Sequence, residues 1–569
     1  MRPAATVRPA DQLVAGVDKK RSSFVRRPFP AVYLVGAGPG DAGLLTQAGA
    51  AALQRAAVVL YDALVNPVLL NYCPDDAEKL FVGKTAGRHS LTQDQINTLL
   101  VEKGRQIAAD PHCVERVVVR LKGGDPYVFG RGAEEGQVLA RSGVTFAVIP
   151  GVTAGIAAAA YAGIPVTHRA FTDTVTFVTG HLAASHDDSD TGTTGAAPQI
   201  FPAGDVQAAA RPLRYKALAA LGGTLVFYMG VKSLPEITAK LQAAGLDPDT
   251  PAAVIAQGTW PQQKTLISTL AKVAAAAQKA GLQAPAITVI GTVVQLRERL
   301  NWFENRPLFG QTVLVTRTRP QASELAARLT ALGARVIEAP TIALAAAADY
   351  AAVDQALARL HRYHCVVFTS AAGVEATWQR LARLHLDARA FPRRVAAIGP
   401  ATAAALKVIG IRADLIPEEF ISAQLSAQLL QRLADKGDFR GRHFLLLRSA
   451  LADPLLAQQL MRAGAVVEDL PIYQTITPDS LPPEAIHALR NGEVTCLTFT
   501  SASTAKNLHA LLPEELRAAV TRCRRISIGP VTSAALRDLG WPATAEASPH
   551  SIAGMIEALI ACASDFRNT

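Results

Sequence analysis

The 569-residue sequence holds six cysteines, Cys73, Cys113, Cys365, Cys496, Cys523 and Cys562, and none is spaced as a CxxC pair. That removes a zinc site and a disulfide framework, and leaves buried or incidental thiols in a reducing compartment. No apolar run reaches the roughly 18 residues of a membrane helix, so no membrane partner is expected and a cytoplasmic protein is. Aromatic residues make up only 6% of the chain, too few for the stacking platform of a single-strand nucleic-acid binder. Acidic residues are outnumbered: the net charge is +10. A nucleic acid, an acidic membrane or a small polycarboxylate would each suit that charge, which alone does not choose. What is abundant is aliphatic. With 50% hydrophobic and 18% charged residues, the chain can bury several cores, and three or four globular units are expected.

Residues 1–28 carry basic clusters, Lys19-Lys20-Arg21 and Arg26-Arg27, without the apolar stretch of a secretory signal, and read as a disordered basic extension. Short apolar strands then alternate with helical segments: Val32–Val35, Ala57–Tyr61, Val117–Leu121, Phe146–Ile149, Val175–Val178, Thr224–Tyr228 and Ala286–Ile290. This rhythm predicts α/β architecture throughout, with lobes over about 29–150 and 151–303. The rhythm fails at about 182–211, where Gly, Pro and small polar residues predict a flexible insertion. His186, Asp187, Asp188 and Asp190 lie there and read as a solvated run rather than metal ligands. Residues 304–311, with Pro307 and Gly310, read as a linker.

From 312 onward the sequence repeats itself. Strand ends at Arg317 and Arg448, Gly333-Ala334 and Gly464-Ala465, Pro340 and Pro471, and Phe368–Ala371 and Phe499–Ala502 share an offset of 131 residues. Ile398–Thr402 and Ile528–Thr532 follow at 130. Two copies of one α/β unit facing a cleft are the natural arrangement.

Several strand ends are glycine-rich. Gly36-Ala37-Gly38-Pro39-Gly40-Asp41 is not the dinucleotide fingerprint: Asp41 stands where the third glycine belongs, and Pro39 lacks the N–H a pyrophosphate needs. A tight turn alone would also account for it. The run Arg120–Glu135, RLKGGDPYVFGRGAEE, places four glycines and a proline at the end of an apolar strand, which is costly unless a ligand needs the backbone exposed. Pro150–Ala154, Gly163–Arg169, Thr179-Gly180-His181 and Tyr228-Met229-Gly230 also sit at element ends. His168 and His181, taken singly, read as structural.

Together these strings, with Val82–Ser90 and Leu300–Phe303, resemble the tetrapyrrole methylase family, and within it the uroporphyrinogen-III C-methyltransferases, over Ala31–Phe303. The resemblance implies two α/β lobes holding S-adenosylmethionine against Pro39, Gly123, Gly124, Asp125, Val128, Thr153, Ala154, Met229 and Gly258, and no metal. It implies an acid/base pair, Asp62 and Lys84, for which a stabilising ion pair is the other reading. It also implies a homodimer through this half.

Over Phe309–Ala561 the sequence resembles the uroporphyrinogen-III synthases, through TRxRPQA, two FTSA strings, two IGPxT strings and LPIYQT. That likeness implies a two-lobed α/β fold, with 312–341 plus 475–569 in one lobe and 342–474 in the other, each repeat copy split between them. Hydroxymethylbilane, with its eight carboxylates, would meet Arg317, Ser370, Thr402, Ser501 and Thr532 at helix-opening turns. Tyr473 matches the tyrosine placed near the leaving hydroxyl; packing at the lobe connection is its other reading. The combined expectation is a bifunctional enzyme that makes uroporphyrinogen III and methylates it at C2 and C7 to precorrin-2. The alternatives are a methyltransferase of a different precorrin fused to a non-catalytic tetrapyrrole sensor, and an RNA methyltransferase, against which the missing RNA module counts.

Overall fold

A computed structural model describes residues 29–83, 91–180, 213–316, 319–419, 422–433 and 439–567. The basic extension 1–28, Lys84, His181, the insertion 182–211 and Arg317 lie outside the described residues. The chain divides into two compact units after Gly310.

The first unit holds two five-stranded sheets. Strands β1 (Val32–Gly36), β2 (Ala56–Tyr61), β3 (Glu78–Phe81), β4 (Val117–Lys122) and β5 (Phe146–Ile149) form an all-parallel sheet in the order β3-β2-β4-β1-β5. Helices cover both faces of such a sheet, so its central strands are continuous apolar runs. All six residues of β4 are buried, the charged Arg120 and Lys122 included. Strands β6 (Val175–Thr179), β7 (Thr224–Tyr228), β8 (Pro251–Ala256), β9 (Lys264–Thr269) and β10 (Ala286–Ile290) form a mixed sheet in the order β6-β7-β10-β8-β9. The helix Ala154–Tyr161 between the sheets is almost all Ala and Gly because its neighbours leave no room. A Cβ on Gly155 would lie 2.8 Å from Tyr228 Cζ, and one on Gly258 3.1 Å from Ala158 Cα.

Residues 304–310 are not a loose connection. Glu304 Oε1 accepts from Gln263 Nε2 (2.8 Å) and Thr265 Oγ1 (2.6 Å), and Oε2 from Arg297 (2.5 Å). Leu308 is fully buried, and the Phe309 ring packs edge-on to Phe303. A carboxylate with three donors and two apolar anchors outweighs the linker-like composition.

The second unit contains β11 (Thr312–Val315), β12 (Arg335–Glu338), β13 (Ala343–Ala346), β14 (Cys365–Phe368), β15 (Val395–Ala397), β16 (His443–Ser449), β17 (Val466–Ile476), β18 (Cys496–Phe499), β19 (Arg524–Ser527) and β20 (Ala545–Glu546). One sheet runs β12-β11-β18-β19-β20 and the other β13-β17-β16-β14-β15. The repeat explains this order. The first copy supplies β11, β12, β14 and β15, the second β16, β17, β18 and β19, and each sheet takes one neighbouring pair from each copy. The 11-residue β17 returns from one lobe to the other, pairing antiparallel with β13. Thr475 and Ile476 pair with Leu344 and Ala343, so the lobe expected to end at 474 extends two residues further, because the ladder continues to the end of the partner strand.

Candidate functional site

In the first unit the ligand-type motifs converge at the C-terminal edge of the parallel sheet, where open α/β sheets place ligand contacts. The turn after β1 and the run after β4 are stitched together: Gly124 N–H donates to Gly38 O (2.8 Å), Gly38 N–H to Gly124 O (3.2 Å), and Ala37 N–H to Lys122 O (2.8 Å). Glycine is required by contact distance. A Cβ on Gly36 would lie 2.5 Å from Gly151 Cα and 2.7 Å from Gly124 O. Gly124 itself, at φ +68°, faces open space, the nearest atoms to an added Cβ being 3.9 Å away at Thr153 Cα and Ala154 N. Gly124, Thr153 and Ala154 thus come together, with Pro39 beside Gly38 and Gly123 beside Gly124 in the same pair of turns.

The second sheet closes on the same place. Tyr228, at the end of β7, accepts the Gly155 N–H (2.7 Å) and shares a hydrogen bond with Thr153 Oγ1 (2.8 Å). Burial pushes its phenol above the ordinary value. Asp41 N–H donates to Thr259 Oγ1 (3.0 Å), and Tyr161 donates to Asp41 Oδ2 (2.8 Å). These bonds bring Met229, half-exposed beside Tyr228, and Gly258, beside Thr259, alongside the glycine turns. Val128 packs on the core next to them. The Asp125 carboxylate accepts two backbone bonds, Oδ1 from Tyr127 N–H (2.7 Å) and Oδ2 from Gly151 N–H (2.9 Å).

This region is strained. Among the described residues, six non-glycines have positive φ, and five of them, Phe129, Arg131, Met229, Gln257 and Thr259, lie in the loops that close on this opening. Each costs on the order of 1–3 kcal/mol and persists only where its surroundings over-determine it, which is typical of binding sites. Residue types alone do not announce this: Tyr228 and Phe129 fall inside glycine-rich strings at element ends, while nothing in the sequence marks Gln257 or Thr259.

Beneath the opening lies a charge cluster. Arg120 Nε (3.1 Å), Lys122 Nζ (2.9 Å) and Gln93 Nε2 (3.3 Å) all donate to Glu135 Oε1. Arg120 also faces Asp62 Oδ2 at 3.6 Å. Burial, and then the neighbouring Arg120, hold the Lys122 ammonium below its ordinary pKa. Of its charged members, Asp62 is the one that reaches solvent. His168 accepts from Ala170 N–H (3.1 Å) and meets Phe171 edge-on, a structural role in its turn.

In the second unit, four strands end in helix openings arranged as two adjacent pairs. After β14 and β18, Ser370 and Ser501 cap helices, accepting from Gly373 N–H (3.0 Å) and Thr504 N–H (3.3 Å). After β15 and β19, Gly399 and Gly529 precede helices that start with proline. Thr402 and Thr532, expected to offer hydroxyls, are buried: each sits in the third helical position and faces inward with the leucine four residues on, Leu406 or Leu536. Only the backbone of these turns remains for an anion. Tyr473 OH lies 3.0 Å from Ser370 Oγ, at the edge of a cavity of about 590 Å³ lined by Ile342, Ala345, Tyr350 and Gln379. No group of three or more His, Cys, Asp or Glu suited to a metal occurs among the described residues, and no helix among them is long and apolar enough to cross a membrane.

A parallel sheet with glycine-knotted strand ends, followed by a twin-lobed unit with paired helix openings, defines a two-module α/β enzyme. Residues 31–274 match the family model of Tetrapyrrole (Corrin/Porphyrin) Methylases, and residues 323–557 that of Uroporphyrinogen-III synthase HemD. The porphyrin biosynthesis protein HemD of Ruminiclostridium josui is 33% identical over 484 residues, 85% of this chain and 89% of that protein. The siroheme synthase of Pseudomonas paraeruginosa is 44% identical over 303 residues, 53% of this chain and 57% of that protein, so the chain spans little more than half of that relative. A uroporphyrin-III C-methyl transferase of Thermus thermophilus, solved with S-adenyl homocysteine, is 34% identical, covering 47% of this chain and 99% of that one at a TM-score of 0.36. The chain belongs to the family of the R. josui protein: it is a tetrapyrrole methylase fused to a uroporphyrinogen-III synthase.

Proposed function

We propose that the second unit closes hydroxymethylbilane to uroporphyrinogen III with inversion of ring D, and that the first methylates that product at C2 and C7, using S-adenosylmethionine, to give precorrin-2. The observation that carries this reading is that each compact unit coincides with one family match on a single chain, so one unit's product is the other's substrate.

The glycine-knotted opening fits the cofactor. Gly124 leaves room where a side chain would intrude, Thr153 and Ala154 open a helix beside it, and Met229 contributes a half-exposed thioether. When bound, the cofactor supplies a sulfonium-activated methyl group. The chain's own work is to hold the acceptor carbon in line and to manage the proton that the macrocycle loses. Asp62 is suited to handling that proton, because Leu64 N–H holds Oδ1 at 3.1 Å and leaves a partly exposed carboxylate at the strand end. Lys84 stays its proposed partner on the family resemblance alone. That resemblance also implies pairing of two chains through this unit, which sedimentation of the purified protein would test.

In the second unit, the four helix openings would receive substrate carboxylates, each favourable interaction with a helix N-terminus being worth about 0.3–1 kcal/mol. Ser370 and Ser501 stand at two of them, and the turns before Thr402 and Thr532 offer backbone amides. Arg317 is retained on the family resemblance. Tyr473 would donate to the departing hydroxyl.

The test is a coupled assay from hydroxymethylbilane with and without S-adenosylmethionine. Type III uroporphyrinogen without the cofactor, and a doubly methylated product with it, are expected. The type I isomer alone would make the second unit a non-catalytic binder, and an unmethylated type III product would assign the first unit to another precorrin.

A further inference from the structure

The methylase unit contains a chain of charges that its glycine motifs do not require. Arg120 and Lys122 are two residues apart on β4, so both point to one side of a strand that is otherwise wholly apolar. Both are buried, and Glu135, from the first turn of the helix Gly132–Arg141, is 0% exposed. Burying three charges is expensive, and a hydrophobic trio of similar volume would be at least as stabilising. Glu135 Oε1 carries all three donors, while Oε2 has no partner among the described residues. Arg120 is further fixed by donating to Leu60 O (3.3 Å) and Leu121 O (3.1 Å). The one terminal nitrogen that none of these bonds uses points to Asp62 Oδ2, 3.6 Å away, and the Asp62 side chain is 24% exposed.

We propose that Glu135 and Arg120 are positioning residues: Glu135 anchors Arg120 from within the core, and Arg120 holds the Asp62 carboxylate in place at the end of its strand, beside the glycine turns. This rests on Asp62 acting as the proton-handling group of the methylase unit. A stability device would have no need to end on a carboxylate that reaches solvent. The charged groups that face Asp62 among the described residues are Arg120 and Lys122 from β4, with Glu135 behind them.

The arrangement makes two variants move one quantity in opposite directions. In Arg120→Lys the shorter cation stays with Glu135 and leaves Asp62, so the pH below which methylation fails rises, by up to about one unit for the loss of a charge at this distance. In Glu135→Gln the amide keeps the shape but a negative charge is gone, so the same limb moves to lower pH. Full-length protein would be assayed for uroporphyrinogen III methylation across pH, with S-adenosylmethionine binding by calorimetry as a second readout. Binding is expected within threefold of the parent in both variants, since the cluster lies beneath the glycine opening. Should Arg120→Lys lose binding through misfolding, Glu135→Gln alone decides by the sign of its shift. Superimposable pH profiles in variants that bind the cofactor, with turnover abolished by Asp62→Asn, would overturn the proposal while sparing Asp62's role. Parent-like turnover in Asp62→Asn would instead remove that role, and the proposal with it.

Discussion

The glycine knot of the methylase unit gives a prediction whose size follows from the coordinates. In Gly151→Ala the new methyl would fall inside the contact distance of Gly124 O and lie 2.7 Å from Gly36 Cα and 2.9 Å from Gly36 C. All three are backbone atoms at the ends of hydrogen-bonded strands, so no side chain can swing away. Relief requires the β1 and β4 turns to separate by about 1 Å, and overpacking of this kind costs about 1–3 kcal/mol. Those turns form the proposed cofactor opening, so the cost falls on binding, where 1.4 kcal/mol is a factor of ten. S-adenosylmethionine affinity should drop about 5- to 150-fold by titration calorimetry. Gly143→Ala is the control: Gly143, unlike Gly151, has positive φ, +68°, and nothing lies within 4 Å of an added Cβ. It should lower the melting temperature through roughly 1–2 kcal/mol of left-handed strain and leave cofactor affinity unchanged. A Gly151→Ala protein that binds S-adenosylmethionine within twofold of the parent would refute the reasoning.

Three further outcomes are expected. Tyr228→Phe leaves the Gly155 N–H and the Thr153 hydroxyl unpaired in a buried place, which should cost about 1–3 kcal/mol in denaturant unfolding of the first unit and weaken cofactor binding. Tyr473→Phe removes the hydroxyl beside Ser370; synthase turnover should fall about tenfold, as for one hydrogen bond of ~1.4 kcal/mol, whereas parent-like turnover would mean that the ring only packs. Burial, with the negative charge of Glu468 nearby, pushes Tyr363 up to about 12, and burial pushes the Cys365 thiol up to about 12. Both folded values lie above those of the unfolded chain, so their stabilisation is complete below about pH 9 and lost as the pH rises through 12. The melting transition of the second unit should fall across that window, and less steeply in Tyr363→Phe.

The α/β class and the two family likenesses were legible because strand ends carry their chemistry in short strings: glycines where backbones meet, and serine or Gly-Pro where helices open. The repeat was legible too, since β14 and β18 both end on the phenylalanine that opens the string Phe-Thr-Ser-Ala. What stayed hidden depends on direction rather than composition. Thr402 and Thr532 look like ligand hydroxyls until the helix is built, when the third position turns them inward beside Leu406 and Leu536. Asp125 stands in the glycine-rich string, but its bonds to the Tyr127 and Gly151 amides show only once the chain is folded. The Arg-Leu-Lys of β4 read as the start of a loop motif; only the strand's two-residue period joins Arg120 and Lys122 to Glu135, 15 and 13 residues on. Glu304 stood in a linker-like string because its partners, Gln263, Thr265 and Arg297, are scattered along the sequence.

The two units differ in how much backbone strain they hold, and the difference matches the reactions proposed for them. The synthase unit has a single non-glycine residue at positive φ among the described residues, His385, just past the end of the helix Ala371–Arg383, where such a conformation is ordinary. Its helix openings are unstrained, as suits a reactive substrate that needs mainly to be held bent while it closes. The methylase unit keeps five strained residues around one opening. At 1–3 kcal/mol each they would cost on the order of 5–15 kcal/mol, comparable with the whole stability of a domain. Only tight packing can hold them, and the glycine contacts at Gly36, Gly151, Gly155 and Gly258 supply it. Methyl transfer needs an acceptor carbon in line with a sulfonium carbon, and an error of 1 Å is expensive. A strained, over-determined frame is the physical form that requirement takes.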